Sequence, residues 1–445
     1  MRTWLLLLLF YLCLQPHAGF ADDGNGVLTM SPASSQHVEK PLALAWSKHV
    51  KRLSRQTASV VPKGNRSARA SLIVTGDDVS RAFVKNQIVD YLNQNLTEKP
   101  GTRIQLIVPA DLPAKLPEGE DIQVPVTAKI FGAGLKPTKE KISFNVRNKR
   151  FSVEAPASLM VSNNPEGFTH PCTLFHETLP DASPVQFLYH HDNRGNVPYL
   201  FEVDLVNNED HPIPIHVMDG IAGPGLHELT VGAVAADRFF SALMHRLGRI
   251  VELNGETRHV LVLQKVRPGE TVSGLLRLAP LSLGHPIVET RVRALGAGEN
   301  SEAPVALNSN KSRGIFESPL IAIESEYMVG GDYAFISIGK DLILHEKDTA
   351  KPDLGNYGVL YNIHLTLTNP KPTPQTVHVM FSPQAGPAKG VFFVNGALVK
   401  VPIVGAAEVY PIYKAELAPN ETRRVDIQTM PVGGSFYPVQ IIAQP

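Results

Sequence analysis

The chain has 445 residues, with 42 Lys plus Arg balanced by 42 Asp plus Glu. That balance excludes an electrostatically driven nucleic-acid binder, which needs a basic excess. With 43% hydrophobic residues and 70 Gly and Pro together, wholesale disorder is excluded and a turn-rich, multi-domain protein is expected, at roughly 100 to 200 residues per domain.

The N-terminus reads as a signal peptide over residues 1–21. Arg2 supplies the positive end, Leu5 to Leu14 the apolar core, and Ala18-Gly19-Phe20-Ala21 the small residues of a cleavage site. Cys13 falls inside it, so processing leaves Cys172 alone and no internal disulfide is possible. Beyond this segment no apolar run approaches the roughly 18 to 20 residues of a membrane span. Residues 22–70 mix Gly, Ser and Pro with a basic cluster from Lys48 to Arg69, and read as a flexible basic leader.

From 71 to 150 the pattern is that of a small α+β module. Leu72-Ile73-Val74 is a short strand, Asp77 and Asp78 offer an N-cap, and Val84, Ile88, Tyr91, Leu92 and Leu96 recur at helical spacing. Strand-like runs follow at 104–108, 122–130 and 141–146.

The remaining two thirds carry an internal duplication. Gly195-Asn196, the alternating run Leu200 to Leu205, Asn207, Pro212 and Gly223-Pro224 find counterparts in Gly355-Asn356, Leu360 to Leu365, Asn369, Pro374 and Gly386-Pro387, at offsets of 160 to 163. Pro268-Gly269-Glu270-Thr271 answers Pro419-Asn420-Glu421-Thr422 at an offset of 151. Alternation of Phe201, Val203 and Leu205 with Glu202 and Asp204 is that of a sandwich strand with one face inward. The expectation is therefore a mainly β chain with two related immunoglobulin- or fibronectin-like β-sandwich domains, 151–298 and 313–445, joined by a linker at 299–312, the Phe201 and Tyr361 strands holding equivalent places. The first copy alone carries a helical stripe, Ala235, Phe239, Leu243 and Leu247 with Phe240 and Met244, capped by Gly248 and read as a lid over the open end of the sandwich; a groove under it is the alternative.

Chemical motifs are sparse. His170, Cys172 and His176, with His190, His191 and Asp192 further on, offer zinc or copper ligand types without an established ligand spacing. No nucleophile elbow, H-E-x-x-H helix or phosphate loop occurs. Tyr327, Tyr333, Tyr410, Tyr413 and Tyr437 are the available sugar-stacking rings, since the only tryptophan past residue 21 is Trp46. No residue is assigned a catalytic, cofactor or metal role. The sequence points to a secreted or periplasmic, non-catalytic binding or structural protein of cell-envelope assembly, with a protein or an envelope polysaccharide as partner. The alternatives are a carbohydrate-binding protein, or an extracellular hydrolase or metal-binding protein using His170, Cys172 and His176.

Overall fold

The computed structural model describes residues 27–29, 68–95, 102–132, 138–298, 304–306 and 312–445. The segment 1–21, read from the sequence as a signal peptide, and most of the stretch read as a basic leader, Trp46 included, lie outside them. The chain is mainly β, built from two sandwiches and a front module.

The two sandwiches have the same strand plan. In the first, Ser158–Ser162 runs parallel to Val185–Asn193, followed across the sheet by Thr271–Pro280, Ile213–Gly225 and Gly248–Leu253. In the second, Leu320–Met328 runs parallel to Leu360–Thr368, followed by Thr422–Thr429, Ala388–Val394 and Ala397–Val404. The facing sheets correspond likewise. Cys172–Thr178, Ile287–Ala294, Tyr199–Asn207 and Thr257–Val266 match Ala334–Ile338, Val439–Gln444, Gln375–Pro383 and Tyr410–Leu417.

This places the duplication one strand away from the sequence expectation in the front half of each copy. The Tyr361 strand is equivalent to Val185–Asn193, and the Phe201 strand to Gln375–Pro383. The slip has a local cause. Asn207 donates through Nδ2 to the His211 carbonyl at 2.8 Å and accepts from the Glu209 amide at 3.0 Å. Asn369 makes the same corner with Thr373 and Lys371, at 2.9 and 3.0 Å. The structural counterpart of Asn369, however, is Asn193, which bonds Val197 and Gly195 at 2.9 Å each and, like Asn369, ties down the end of the neighbouring Val266 or Leu417 strand. Two consecutive strands of the first copy, one in each facing sheet, end in the same asparagine corner, and moving by one whole strand keeps the in-out alternation. The later landmark is correctly matched: Glu270 and Glu421 each accept from the backbone amide three residues earlier at 2.7 Å.

Each copy carries one insertion that packs on the other. In the first it is helix α2, named after α1 of the front module (Arg81–Asn95), and spans Glu228–Met244. It lies across the outer face of Ile213–Gly225 and Thr271–Pro280 and against Ala388–Val394 of the second sandwich. It is thus a layer between the sandwiches and not an end lid, and Gly248 begins a strand instead of capping it. Because the helix closes the outer face of this sheet, all ten residues of Thr271–Pro280 are buried, whereas the equivalent Thr422–Thr429 alternates exposed and buried. In the second copy the insertion is the loop 339–359. It returns to the first sandwich, where the Lys347 amide donates to the Ile315 carbonyl at 2.8 Å and the Gln186 amide nitrogen donates to the Gly358 carbonyl.

The domain limits differ correspondingly from the sequence reading. Arg313–Glu317, placed there at the start of the second sandwich, pairs with Ser158–Ser162 and extends the first. The linker contributes Pro304 to Ala306 to the edge of Cys172–Thr178. The front module is joined to the first sandwich through one continuous sheet, Ala68–Thr75 pairing with Gly248–Leu253. Helix α1 is started by the Ser80 hydroxyl, which accepts from the Phe83 amide at 3.2 Å, while Asp77 and Asp78 pair with Arg246 and Lys115.

Two predictions follow from the corners and the loop. Replacing Asn369 with Ala strands the Thr373 and Leu417 carbonyls, so Asn369→Ala is expected to cost about 1 to 3 kcal/mol in urea unfolding; no loss would make the corner ornamental. Asp353, in the loop 339–359, is fully buried and accepts from the Ser312 hydroxyl at 2.7 Å. Burial pushes its carboxyl up to about 7 against the lowering effect of Ser312, from an ordinary value of 3.8. The folded state therefore holds the proton more tightly than the unfolded chain, a contribution present below about 4 and lost as pH rises through 7. Asp353→Asn should match wild type near pH 4 and gain on it up to about pH 7, by roughly 1 to 3 kcal/mol. A constant difference at both ends, measured by urea unfolding, would contradict this.

Candidate functional site

A concavity lies where the C-terminal half of α2 overhangs the open face of the second sandwich. It encloses about 420 Å³. That is the size of a small-ligand or side-chain pocket. One wall is Phe240, Leu243 and Met244 of the helix, and another is Phe393, whose ring meets Phe240 edge-on at 5.4 Å. The floor is the sheet. In register across it, Asn362 lies beside Gln428, and His364 between Glu324 and Asp426.

The floor supplies the polar groups. His364 Nδ1 is 2.7 Å from Asp426 Oδ1, and Arg424 Nε donates to the same oxygen at 2.8 Å. Arg424 first and His364 second hold the Asp426 carboxyl below its ordinary value. The Asp426 amide donates to Asn395 Oδ1 at 2.9 Å, so the Asn395-Gly396 hairpin tip fixes this end of the cleft. Asn362 Oδ1 is buried at the floor with no hydrogen-bond partner among the described residues. An apolar overhang above an unsatisfied acceptor and an orienting His–Asp pair suits a ligand with an apolar body and a hydrogen-bond donor.

The residues singled out in the sequence are dispersed. Cys172 is buried in the core of the first sandwich, and its thiol is pushed up to about 11 by burial, with Arg313 lowering it. His176 lies in the same strand and pairs with Glu289 at 2.8 Å. His170 is exposed beside Thr169. His191 points into the sandwich between Ser162 and the Pro165 carbonyl, both at 2.9 Å, and burial brings it down to about 3. The His190 ring turns to the opposite face, against Gly433. Among the described residues no three His, Cys, Asp or Glu side chains come close enough to share an ion.

The densest charge cluster is another that the sequence reading missed. Glu202, Asp204 and Glu289 alternate with Arg258, Arg291 and Arg293 on the outer face of Tyr199–Asn207 and its neighbours. Arg291 contacts Glu202, Asp204 and Glu289 at 3.1, 3.0 and 2.8 Å, and Arg258 reaches Glu289 at 2.9 Å. Desolvation lifts Asp204 to about 6 despite Arg258 and Arg291. Each carboxylate is engaged by a guanidinium, so the lattice is built as a self-neutralising cover. Of the tyrosines, Tyr327 is buried, Tyr410, Tyr413 and Tyr437 pack partly on the core, and Tyr333 is exposed.

No protein-family model matches the chain, and no curated protein matches it. Three solved structures illustrate the likenesses. The M60 catalytic domain with the CBM51-1 and CBM51-2 domains of Clostridium perfringens ZmpB is 6% identical at a TM-score of 0.16, over 76% of this chain and 43% of that one. An anti-sigma factor domain-containing protein from Clostridium clariflavum is 10% identical at 0.16, over 62% and 86%. The PBSX exported protein XepA is 8% identical at 0.16, over 61% and 85%. This chain spans less than half the length of the first, and at such TM-scores none of them bears on its activity.

Proposed function

We propose that the chain is a non-catalytic binding protein of the cell envelope, secreted or periplasmic, and that its ligand seat is the cleft between α2 and the second sandwich. The observation that carries the reading is the unsatisfied Asn362 acceptor under the Phe240, Leu243 and Met244 overhang, with His364 and Asp426 beside it. A site of this make-up orients a ligand through one or two polar contacts and draws its affinity from apolar burial. The export assignment rests on Arg2, the Leu5 to Leu14 run and the small residues to Ala21.

A protein partner fits the cleft better than a polysaccharide. The rings that face the cleft, Phe240 and Phe393, are themselves nearly buried and leave no broad aromatic platform. An apolar side chain bearing an N–H or O–H, presented by a peptide, meets both the overhang and Asn362.

The test is calorimetric titration of the full chain with a panel of tyrosine- and tryptophan-containing peptides and of envelope polysaccharides. Met244→Glu, at an exposed position on the rim, is expected to weaken binding of the selected peptide by about tenfold without changing the melting temperature, as burial of a charge against an apolar ligand requires. Selective polysaccharide binding, turnover of a panel member, or a peptide affinity indifferent to Met244→Glu would overturn the reading.

A further inference from the structure

The two sandwiches differ at one edge. In the first, the outer side of Cys172–Thr178 is covered by the chain itself: the Thr173 amide donates to the Pro304 carbonyl at 3.0 Å, and the Ala306 amide donates to the Thr173 carbonyl at 3.1 Å, a parallel bridge between Thr173 and Val305. In the second, Ala334–Ile338 holds the equivalent position, and among the described residues nothing pairs with its outer side. We propose that this open edge is a docking site for an extended, uncharged segment of a partner protein, which joins the sheet in parallel as residues 304–306 join the first sandwich.

Cys172 and Thr173 pair with Val292 and Arg291, and Ala334 and Phe335 pair with Ala443 and Ile442. Phe335, like Thr173, lies near the start of its edge strand with its side chain on the outer face of the sheet, and a residue so placed in the same strand direction turns its N–H and C=O toward the edge. An unpaired strand edge is a template for another strand, and chains commonly blunt such edges with charge or proline. Four other edges of the two sandwiches are blunted: Glu324 and Glu326 on Leu320–Met328, Lys400 and Pro402 on Ala397–Val404, Pro411 and Lys414 on Tyr410–Leu417, Arg258 and Lys265 on Thr257–Val266. The sequence Ala-Phe-Ile-Ser-Ile of 334–338 has neither.

Side chains specify the occupant. Phe335 is 57% exposed and Tyr333 49%, their rings 6.4 Å apart, and Phe335 lies opposite the buried Ile442. Apolar residues of an added strand cover this patch, while backbone hydrogen bonds supply the pairing. Pro304-Val305-Ala306 shows which chemistry the equivalent edge accepts: small, apolar and without charge. This surface is separate from the cleft of Phe240 and Asn362, so either assignment can fail without the other.

The test is hydrogen–deuterium exchange of the full chain, with an end-capped synthetic peptide of the sequence of residues 303–308, which carries no charge, as probe. At millimolar peptide the amides of 333–339 are expected to slow their exchange saturably, and the same peptide with Asp in place of Val305 should have no effect. Phe335→Pro removes the outward donor and should raise the half-saturating concentration by about tenfold, as loss of one backbone hydrogen bond would. Ser337→Lys, on the exposed side of the strand, should do the same with the fold intact. No slowing, equal slowing in both variants, or protection that rises with protein concentration and needs no peptide would overturn the proposal, the last in favour of a second copy of this chain.

Discussion

Helix α2 meets backbone on both of its sides, and the arrangement of the sandwiches depends on this. A side chain at Gly220, on the strand below, would stand 2.2 Å from the Ala235 carbonyl of the helix. One at Gly232, on the helix itself, would stand 1.8 Å from the Gly433 carbonyl of the second sandwich. Only residues without a Cβ allow so close a stack of sheet, helix and loop. Gly232 in a helix interior costs about 1 kcal/mol relative to Ala. The contacts won around it offset that cost: Phe239 and Phe240 join the core of the second sandwich, and Lys400 reaches Asp237 at 2.8 Å.

The reciprocal insertion completes the lock. Gly358 of the loop 339–359 packs on Leu159 and Leu188 of the first sandwich. Gln186 is held between the Gly358 carbonyl and Arg277, which donates to its Oε1 at 2.8 Å and to the Glu154 carbonyl at 2.7 Å. Burial brings the Arg277 guanidinium down to about 10, and it lies over the Phe239 ring at 5.9 Å. One insertion buries apolar surface and the other satisfies buried polar groups. Together they hold the α2 overhang at a fixed height above Asn362 and His364, and a preformed cleft spares a ligand the entropy of assembling its site.

Much of the fold was legible because sheet alternation and turn residues are local signals. Phe201, Val203 and Leu205 face inward as their spacing requires, and the Glu270 and Glu421 turns were matched correctly. The one-strand slip arose because Asn193, Asn207 and Asn369 all build the same corner, and a local motif cannot tell neighbouring strands apart. The candidate site was less legible. The stripe of Phe239, Phe240 and Leu243 was visible, but its second covering surface comes from residues about 150 positions away. Asn362, His364 and Asp426 carry no spacing signature, since they become neighbours only through the pairing of Leu360–Thr368 with Thr422–Thr429. The His170, Cys172 and His176 cluster shows the converse: His170 lies before the strand, and the irregularity between Thr173 and Phe175 sends Cys172 into the core and His176 to the outer face, although even spacing would put them on one side.

The central claim is that the two sandwiches and α2 form one interlocked body, and calorimetric unfolding of wild type beside Gly232→Val tests it most directly. In wild type the two sandwiches should unfold in a single cooperative transition. Valine at 232 forces the helix off Gly433, so the variant should show two separated transitions, the lower one well below the wild-type midpoint. Two independent sandwich transitions in wild type, or an unaltered single transition in Gly232→Val, would contradict the account.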